Sequence, residues 1–370
     1  MKNIYVTKPF LPPLNDFIKR LEEVWDSGIL TNCGPQHQHL EAELKKYLGV
    51  HNMTLVNNGT MALLAALEIL NVQGEVITTP YSFVATSHCL IWKKCKPVFV
   101  DINSEDCNID PSKILEAINE RTTAILAVHC YGFPCDVDEL QNIANRNNLR
   151  LIYDAAHAFG VRYNNRSILD YGDASVVSFH ATKIFNTVEG GALVFSQGEN
   201  SAAAKKIRNF GFDNEISVSS VGLNFKMNEI QAIMGLAQLG CMSEIRKKRA
   251  AIAQKYDQEL SVIKGLKFPR PRAGATSNYS YYPILVESCE SRSRDGLYYF
   301  LKKSGIHSRR YFYPLISDFM AYKGADIAIH HDLPIARSVS ERILCLPIYP
   351  DLLDSEQSFV IKKVKKFIEG

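Results

Sequence analysis

Six apolar runs of strand length recur between residues 75 and 195, at 75–79, 97–101, 124–129, 151–154, 174–179 and 192–195. Helical stretches at 111–119 and 136–147 lie between several of them. Asp110-Pro111 marks the start of the first, because proline's fixed φ and missing N–H suit an opening helical turn. Strands alternating with helices predict an α/β chain with a mostly parallel sheet and helices on its faces. A helix over about 227–239 comes next, then a long charged helix over about 241–260. Its Arg246, Lys247, Lys248 and Arg249 read as the solvated face of a helix bridging two domains. Residues 264–277, with Pro269, Pro271 and two glycines, read as a loop. The strand 281–286 and the helix 296–303 complete a smaller α+β unit. The expected division is a large domain over 1–240 and a small C-terminal one over 241–370.

Several function classes find no support. The formal charge of +3 is too small and too scattered to suggest nucleic acid. No G-x-G-x-x-G turn or P-loop occurs, and no H-E-x-x-H spacing suggests a metal. Nine cysteines form no C-x-x-C pair, which argues against a zinc ribbon or a thioredoxin-like motif. The apolar helix around 63–70 is too short for a bilayer and carries Glu68, so no membrane partner is expected. With no apolar leader at the start, reduced thiols in the cytoplasm are the expectation.

Lys183 is the residue that needs a chemical explanation. It closes the run Val177-Ser178-Phe179-His180-Ala181-Thr182-Lys183, ahead of Glu189-Gly190-Gly191 and a second apolar run. An ammonium group at the mouth of a buried strand pair is costly unless it is paired or chemically used. One such use is a Schiff base to pyridoxal phosphate. That use requires an acid for the pyridine nitrogen, an anion cradle and a flat group against the ring. Asp154, ending the apolar run 151–154, is the acid candidate, at a strand end where open α/β sheets bind ligands. Gly59 and Thr60 open a helix after the short strand 53–56 and suit a phosphate, with Ser178 adding a hydroxyl. Phe83 follows the strand 75–79 and can lie over a planar ring. Each has an ordinary alternative: an N-cap carboxylate, an Asn/Gly/Thr helix cap, a core phenylalanine.

The order of these motifs closely resembles the sugar aminotransferases of the DegT/DnrJ/EryC1/StrS family. Asn58-Gly59-Thr60 is followed by the run Tyr81 to Thr86, then Asp154-Ala155-Ala156-His157-Ala158. Ser178 to Lys183, Glu189-Gly190-Gly191 and Gly222-Leu223-Asn224-Phe225-Lys226-Met227 complete it. The resemblance implies a fold-type I, aspartate aminotransferase-like enzyme that binds pyridoxal 5'-phosphate and works as a homodimer with shared active sites. It implies Lys183 as the Schiff-base lysine, Asp154 on the pyridine nitrogen and His157 near the ring hydroxyl. Gly59, Thr60 and Ser178 would hold the phosphate, Phe83 the ring face, and Asn224 the phosphate in the neighbouring subunit. Many members carry glutamine where this chain has His157, and either can hydrogen-bond the ring oxygen.

By the same resemblance the substrates are a nucleotide-linked keto sugar and L-glutamate. Glu189-Gly190-Gly191 resembles members that aminate C4, and His180-Ala181-Thr182-Lys183 those acting on dTDP-4-keto-6-deoxyglucose. Transfer to C4 would give dTDP-4-amino-4,6-dideoxyglucose for a surface polysaccharide. The alternatives are a 3-keto or UDP-linked sugar, or a deoxysugar dehydratase of the same family. The dehydratases replace the lysine with histidine, so Lys183 favours amino transfer. Arg309-Arg310-Tyr311-Phe312-Tyr313-Pro314 resembles the family's Tyr-x-x-Pro region near the sugar nucleotide, followed here by Leu315-Ile316 where histidine is frequent. The substrate-side candidates are therefore His180, Glu189, Lys226, Arg309, Arg310, Tyr311 and Tyr313. For the two arginines a solvated loop pair is the equal alternative.

Overall fold

The computed structural model describes residues 3–289, 292–323 and 328–370. Its centre is an eight-stranded sheet. In chain order the strands are β1 (Met53–Val56), β2 (Glu75–Thr78), β3 (Lys96–Phe99), β4 (Thr122–Val128), β5 (Arg150–Asp154), β6 (Ala174–Ser178), β7 (Gly191–Phe195) and β8 (Ile329–His330). Their order across the sheet is β8-β3-β2-β4-β5-β6-β7-β1. Pairing is parallel from β8 to β6, whereas β7 is antiparallel to both β6 and β1. Strands β1 to β6 therefore end at one edge, where β7 begins.

All six apolar runs lie in this sheet, and the two-residue periodicity of a strand explains how β7 serves two cores. Ala192 and Val194 face one cluster, with Leu151 and Val177, while Leu193 and Phe195 face the other, with Ile152 and Val176. Helix Val137–Arg146 turns Val137, Leu140, Ile143 and Ala144 inward at helical spacing. Asp136 caps it by accepting from Glu139 N. Helix Pro111–Ala117 is capped by Asp110 in the same way and ends two residues earlier than its sequence suggests.

A second core gathers Tyr256, Ile284, Leu297, Leu344 and Val360. It joins the three-stranded antiparallel sheet of Leu266–Lys267, Tyr282–Val286 and Ile343–Leu346 to helices Met242–Leu260, Arg294–Lys303 and Asp354–Glu369. Ile4 belongs to this core, and Ile4–Tyr5 pairs in parallel with Ile306–His307. The charged run in helix Met242–Leu260 departs from its expected role. Lys247 and Lys248 are exposed, but Arg249 is only 2% exposed because it shares the inner stripe of Ile245, Ile252 and Tyr256. Its Nη1 donates to the carbonyls of Tyr279 and Ser280. No two cysteines form a disulfide among the described residues. Among the described residues, no helix is long and apolar enough to cross a membrane.

Candidate active site

Asp154 is the last residue of β5 and is 6% exposed. Its Oδ2 accepts from the Thr86 hydroxyl at 2.7 Å and its Oδ1 from Ala156 N at 3.1 Å. Burial raises the carboxyl above its usual range; those two hydrogen bonds and the Lys183 charge oppose the rise. A further cation at this carboxylate would tip it firmly to the ionised form. Lys183 follows β6 and is half-buried, with its N–H donating to the His180 carbonyl at 2.8 Å. Desolvation pushes its amine down to about 8, against the pull of Asp154. An amine of that strength is partly neutral near physiological pH and can act as nucleophile or base.

The loop after β1 meets the end of β6. Asn58 caps helix Gly59–Ile69 by accepting from Met61 N at 2.8 Å. The earlier backbone N–H groups stand at the positive helix end, where Thr60 is exposed. A β carbon on Gly59 would stand 3.4 Å from Ser178 Oγ, so only glycine leaves that hydroxyl and the helix terminus open to one anion. A β carbon on Gly191, the first residue of β7, would meet the Gly59 nitrogen at 2.9 Å. The Glu189-Gly190-Gly191 motif thus lets β7 press against the anion loop.

His157 is 5% exposed, and its Nδ1 has no hydrogen-bond partner. Burial, helped by the Lys183 charge, holds the ring well below the usual histidine range. It is therefore a neutral imidazole with an open polar atom beside Asp154 and Lys183. Its ring stacks on Phe312 at 5.9 Å and meets Tyr281 edge-on at 4.8 Å. Tyr131 also stacks on Phe312, and Tyr81 meets it edge-on. The Tyr81 and Tyr131 hydroxyls lie 2.5 Å apart and both reach the Tyr311 carbonyl; with one proton each, one donates to the other and that one donates to the carbonyl. The expected Tyr311 is thus held in an aromatic wall, and its ring meets Tyr281 edge-on. Phe83 is 59% exposed and is not a core ring.

The substrate candidates fall into three groups. His180 Nδ1 accepts from Thr182 N at 3.2 Å, which leaves the Nε2–H to face Glu189 Oε1 at 3.5 Å. Asn224 and Lys226 line a different groove of about 560 Å³, with Asn209, Phe210 and Asp213. Asn224 is exposed there, and Lys226 Nζ donates to Asn209 Oδ1 at 2.7 Å. Arg310 pairs with Asp295 at 2.9 Å and lies over the rings of Tyr298 and Tyr313. Arg309 is exposed, with its backbone bridged to Cys345.

Sequence reading passed over Ser82, Thr86, Tyr281 and Phe312 as site residues. Two of them, Ser82 and Thr86, stand inside a run that was singled out for its phenylalanine. A hydroxyl four residues from another on a helix start was the available signal, because that spacing puts both on one side.

Residues 14–365 match the DegT/DnrJ/EryC1/StrS aminotransferase family. The chain is 46% identical over 365 residues to a dTDP-4-amino-4,6-dideoxy-D-glucose transaminase of Shigella dysenteriae, covering 99% of each chain. It is 44% identical over 372 residues to the Escherichia coli transaminase of the same description, covering 100% of this chain and 99% of that one. Among solved structures it resembles DesI in the presence of its TDP-sugar product, with a TM-score of 0.94 and 31% identity. That match covers 99% of this chain and 93% of DesI.

Proposed function

The chain belongs to the DegT/DnrJ/EryC1/StrS aminotransferase family, and on that premise we propose its cofactor, substrates and assembly. It is a sugar aminotransferase. The cofactor is pyridoxal 5'-phosphate. The donor is L-glutamate and the acceptor carbon is C4 of dTDP-4-keto-6-deoxyglucose. The products are 2-oxoglutarate and dTDP-4-amino-4,6-dideoxyglucose, the latter for a surface polysaccharide. The names of the two transaminase relatives support this choice of sugar. The reaction runs in the cytoplasm, where the nine cysteines stay reduced.

One observation carries the reading. A softened lysine, a buried carboxylate and an unpartnered imidazole nitrogen lie within electrostatic reach of one another, and a helix terminus opened by a glycine stands at the end of the strand before that lysine. These residues fit the cofactor without forcing. Asp154 would hold the ring nitrogen and His157 the ring oxygen, Gly59, Thr60 and Ser178 would take the phosphate, and Phe83 would cover a face. When bound, the cofactor supplies a protonated ring that takes up the electron pair left when the amino-bearing carbon loses its proton. Lys183 moves that proton: its neutral Nζ removes it from one carbon and returns it at the next, as base and then acid. One lysine serves donor and acceptor in turn, so the kinetics are ping-pong.

His180 and Glu189 flank the lysine on the sugar side. Lys226, Arg309 and Arg310 add positive charge for the nucleotide diphosphate, and Tyr311 and Tyr313 border the sugar. The assembly is a homodimer in which Asn224 reaches the partner's phosphate site, a role its exposure on the single chain supports. The test is the purified enzyme with L-glutamate and a panel of dTDP- and UDP-linked 4-keto and 3-keto sugars, with products identified by NMR. Amination of the dTDP-linked 4-keto sugar is expected. Reaction with a 3-keto sugar alone would overturn the C4 assignment.

A further inference from the structure

We infer that Ser82 and Thr86 are a positioning pair that keeps the Asp154 carboxylate ionised and fixed toward the cofactor's ring nitrogen. This rests on the pyridoxal phosphate reading above. Thr86 Oγ1 lies 2.7 Å from Asp154 Oδ2, and Ser82 Oγ lies 2.8 Å from Thr86 Oγ1. The three residues are 0%, 5% and 6% exposed in the order Thr86, Ser82, Asp154, so water does not compete for these bonds. Each hydroxyl has one proton to give. Ser82 Oγ makes no other hydrogen bond among the described residues, so its proton has only Thr86 as acceptor. Thr86 must then give its own proton to Asp154. The chain of donors runs one way, toward an oxygen that can only accept, and that favours the charged carboxylate.

Local structure explains why these residues can do this. Thr86 is in the first turn of helix Val84–Trp92, and Ser82 lies two residues before that helix starts. A threonine on a helix can turn its hydroxyl back onto nearby backbone groups. Here that hydroxyl goes across to β5 instead, from a segment 68 residues away in the chain. Polarisation along the two bonds strengthens the one that reaches Asp154. The pair acts through the carboxylate.

The experiment loads the holoenzyme with pyridoxal phosphate labelled with ¹⁵N in its ring and reads the nitrogen signal and the cofactor dissociation constant. Wild type should show a protonated ring nitrogen. Thr86→Val should move the signal toward the unprotonated position and weaken cofactor binding about tenfold. Thr86→Ser should restore both, and Ser82→Ala should lie between. An unchanged signal and affinity in a folded Thr86→Val would overturn the inference. If Thr86→Val does not fold, an unchanged signal in Ser82→Ala overturns it. Wild type that takes up no pyridoxal phosphate overturns the cofactor reading itself, a result separable from the first.

Discussion

A β carbon placed on Gly59 would lie 3.0 Å from the β carbon of Ser178. The first residue of a helix and the last residue of a strand, far apart in sequence, leave a slot with no spare width. The backbone of Gly59 is not in the left-handed region, so the constraint is space rather than conformation.

Gly59→Ala should therefore fold and still bind the cofactor poorly. Overpacking of this size costs about 1–3 kcal/mol, which would fall on the anion-bound state as a loss of about tenfold. Equilibrium titration with pyridoxal phosphate checks this. An affinity equal to wild type would mean the phosphate lies elsewhere.

Lys183→Arg keeps a cation but cannot form a covalent bond to the cofactor or return a neutral amine. The visible absorbance of lysine-bound pyridoxal phosphate should disappear, and turnover should fall by several orders of magnitude. Near-normal turnover in this variant would remove Lys183 from the mechanism.

Asp154→Asn should lower kcat about a hundredfold, the scale of losing one preorganised charged group in a site. Thr86 keeps an acceptor in the amide oxygen, so the thermal midpoint should move little. Wild-type rates would require another acid on the ring nitrogen.

Lys183→Ala and Asn224→Ala should complement when their subunits exchange. Each mixed dimer would hold one site with both residues intact and one with neither, by two-fold symmetry. Activity should return to about half of wild type per mixed dimer, or about a quarter for an equal mixture. Exchange without recovery would show that each site is built from one chain.

Acid should loosen this protein earlier than its carboxylates alone would. Burial holds His129 down to about 3 and His37 down to about 4, and His157 well below its ordinary range. Unfolded, each titrates near 6.5. Below that pH the unfolded chain binds protons that the folded chain refuses, so stability falls as pH drops from about 6.5 toward those values. Each such histidine contributes up to about 1.4 kcal/mol per pH unit. His129→Asn keeps a side-chain acceptor for Cys135 N and should flatten the decline of the urea midpoint between pH 6 and 4, taken as an approximate window. An unchanged slope would place the acid sensitivity elsewhere.

The legible parts of this chain were those with a period or a positional contradiction. Apolar runs of strand length gave the six strands their places, and a lysine at a strand mouth stood out because burial makes it expensive. Arg249 was misread because a run of four basic residues has the same look on either side of a helix. Only the inner stripe of Ile245, Ile252 and Tyr256 tells which one turns in. The edge strand β8 is two residues long and carries no pattern of its own. Thr86 and Ser82 were invisible for a different reason. A hydroxyl residue advertises a hydrogen bond but not its partner, and the partner here lies across the sheet.

Gly191 stands opposite Ser178 on one side and Val56 on the other. A slip of β7 by one residue would turn its side chains to the opposite cores and set Ala192 at that position. Its methyl group would then fall where 2.8 Å separates a β carbon from the Asn58 carbonyl carbon. The anion loop can take its shape only when β7 has joined the sheet in register. Uptake of pyridoxal phosphate is thus a folding assay as well as a binding one: a chain that captures it has paired β7 correctly.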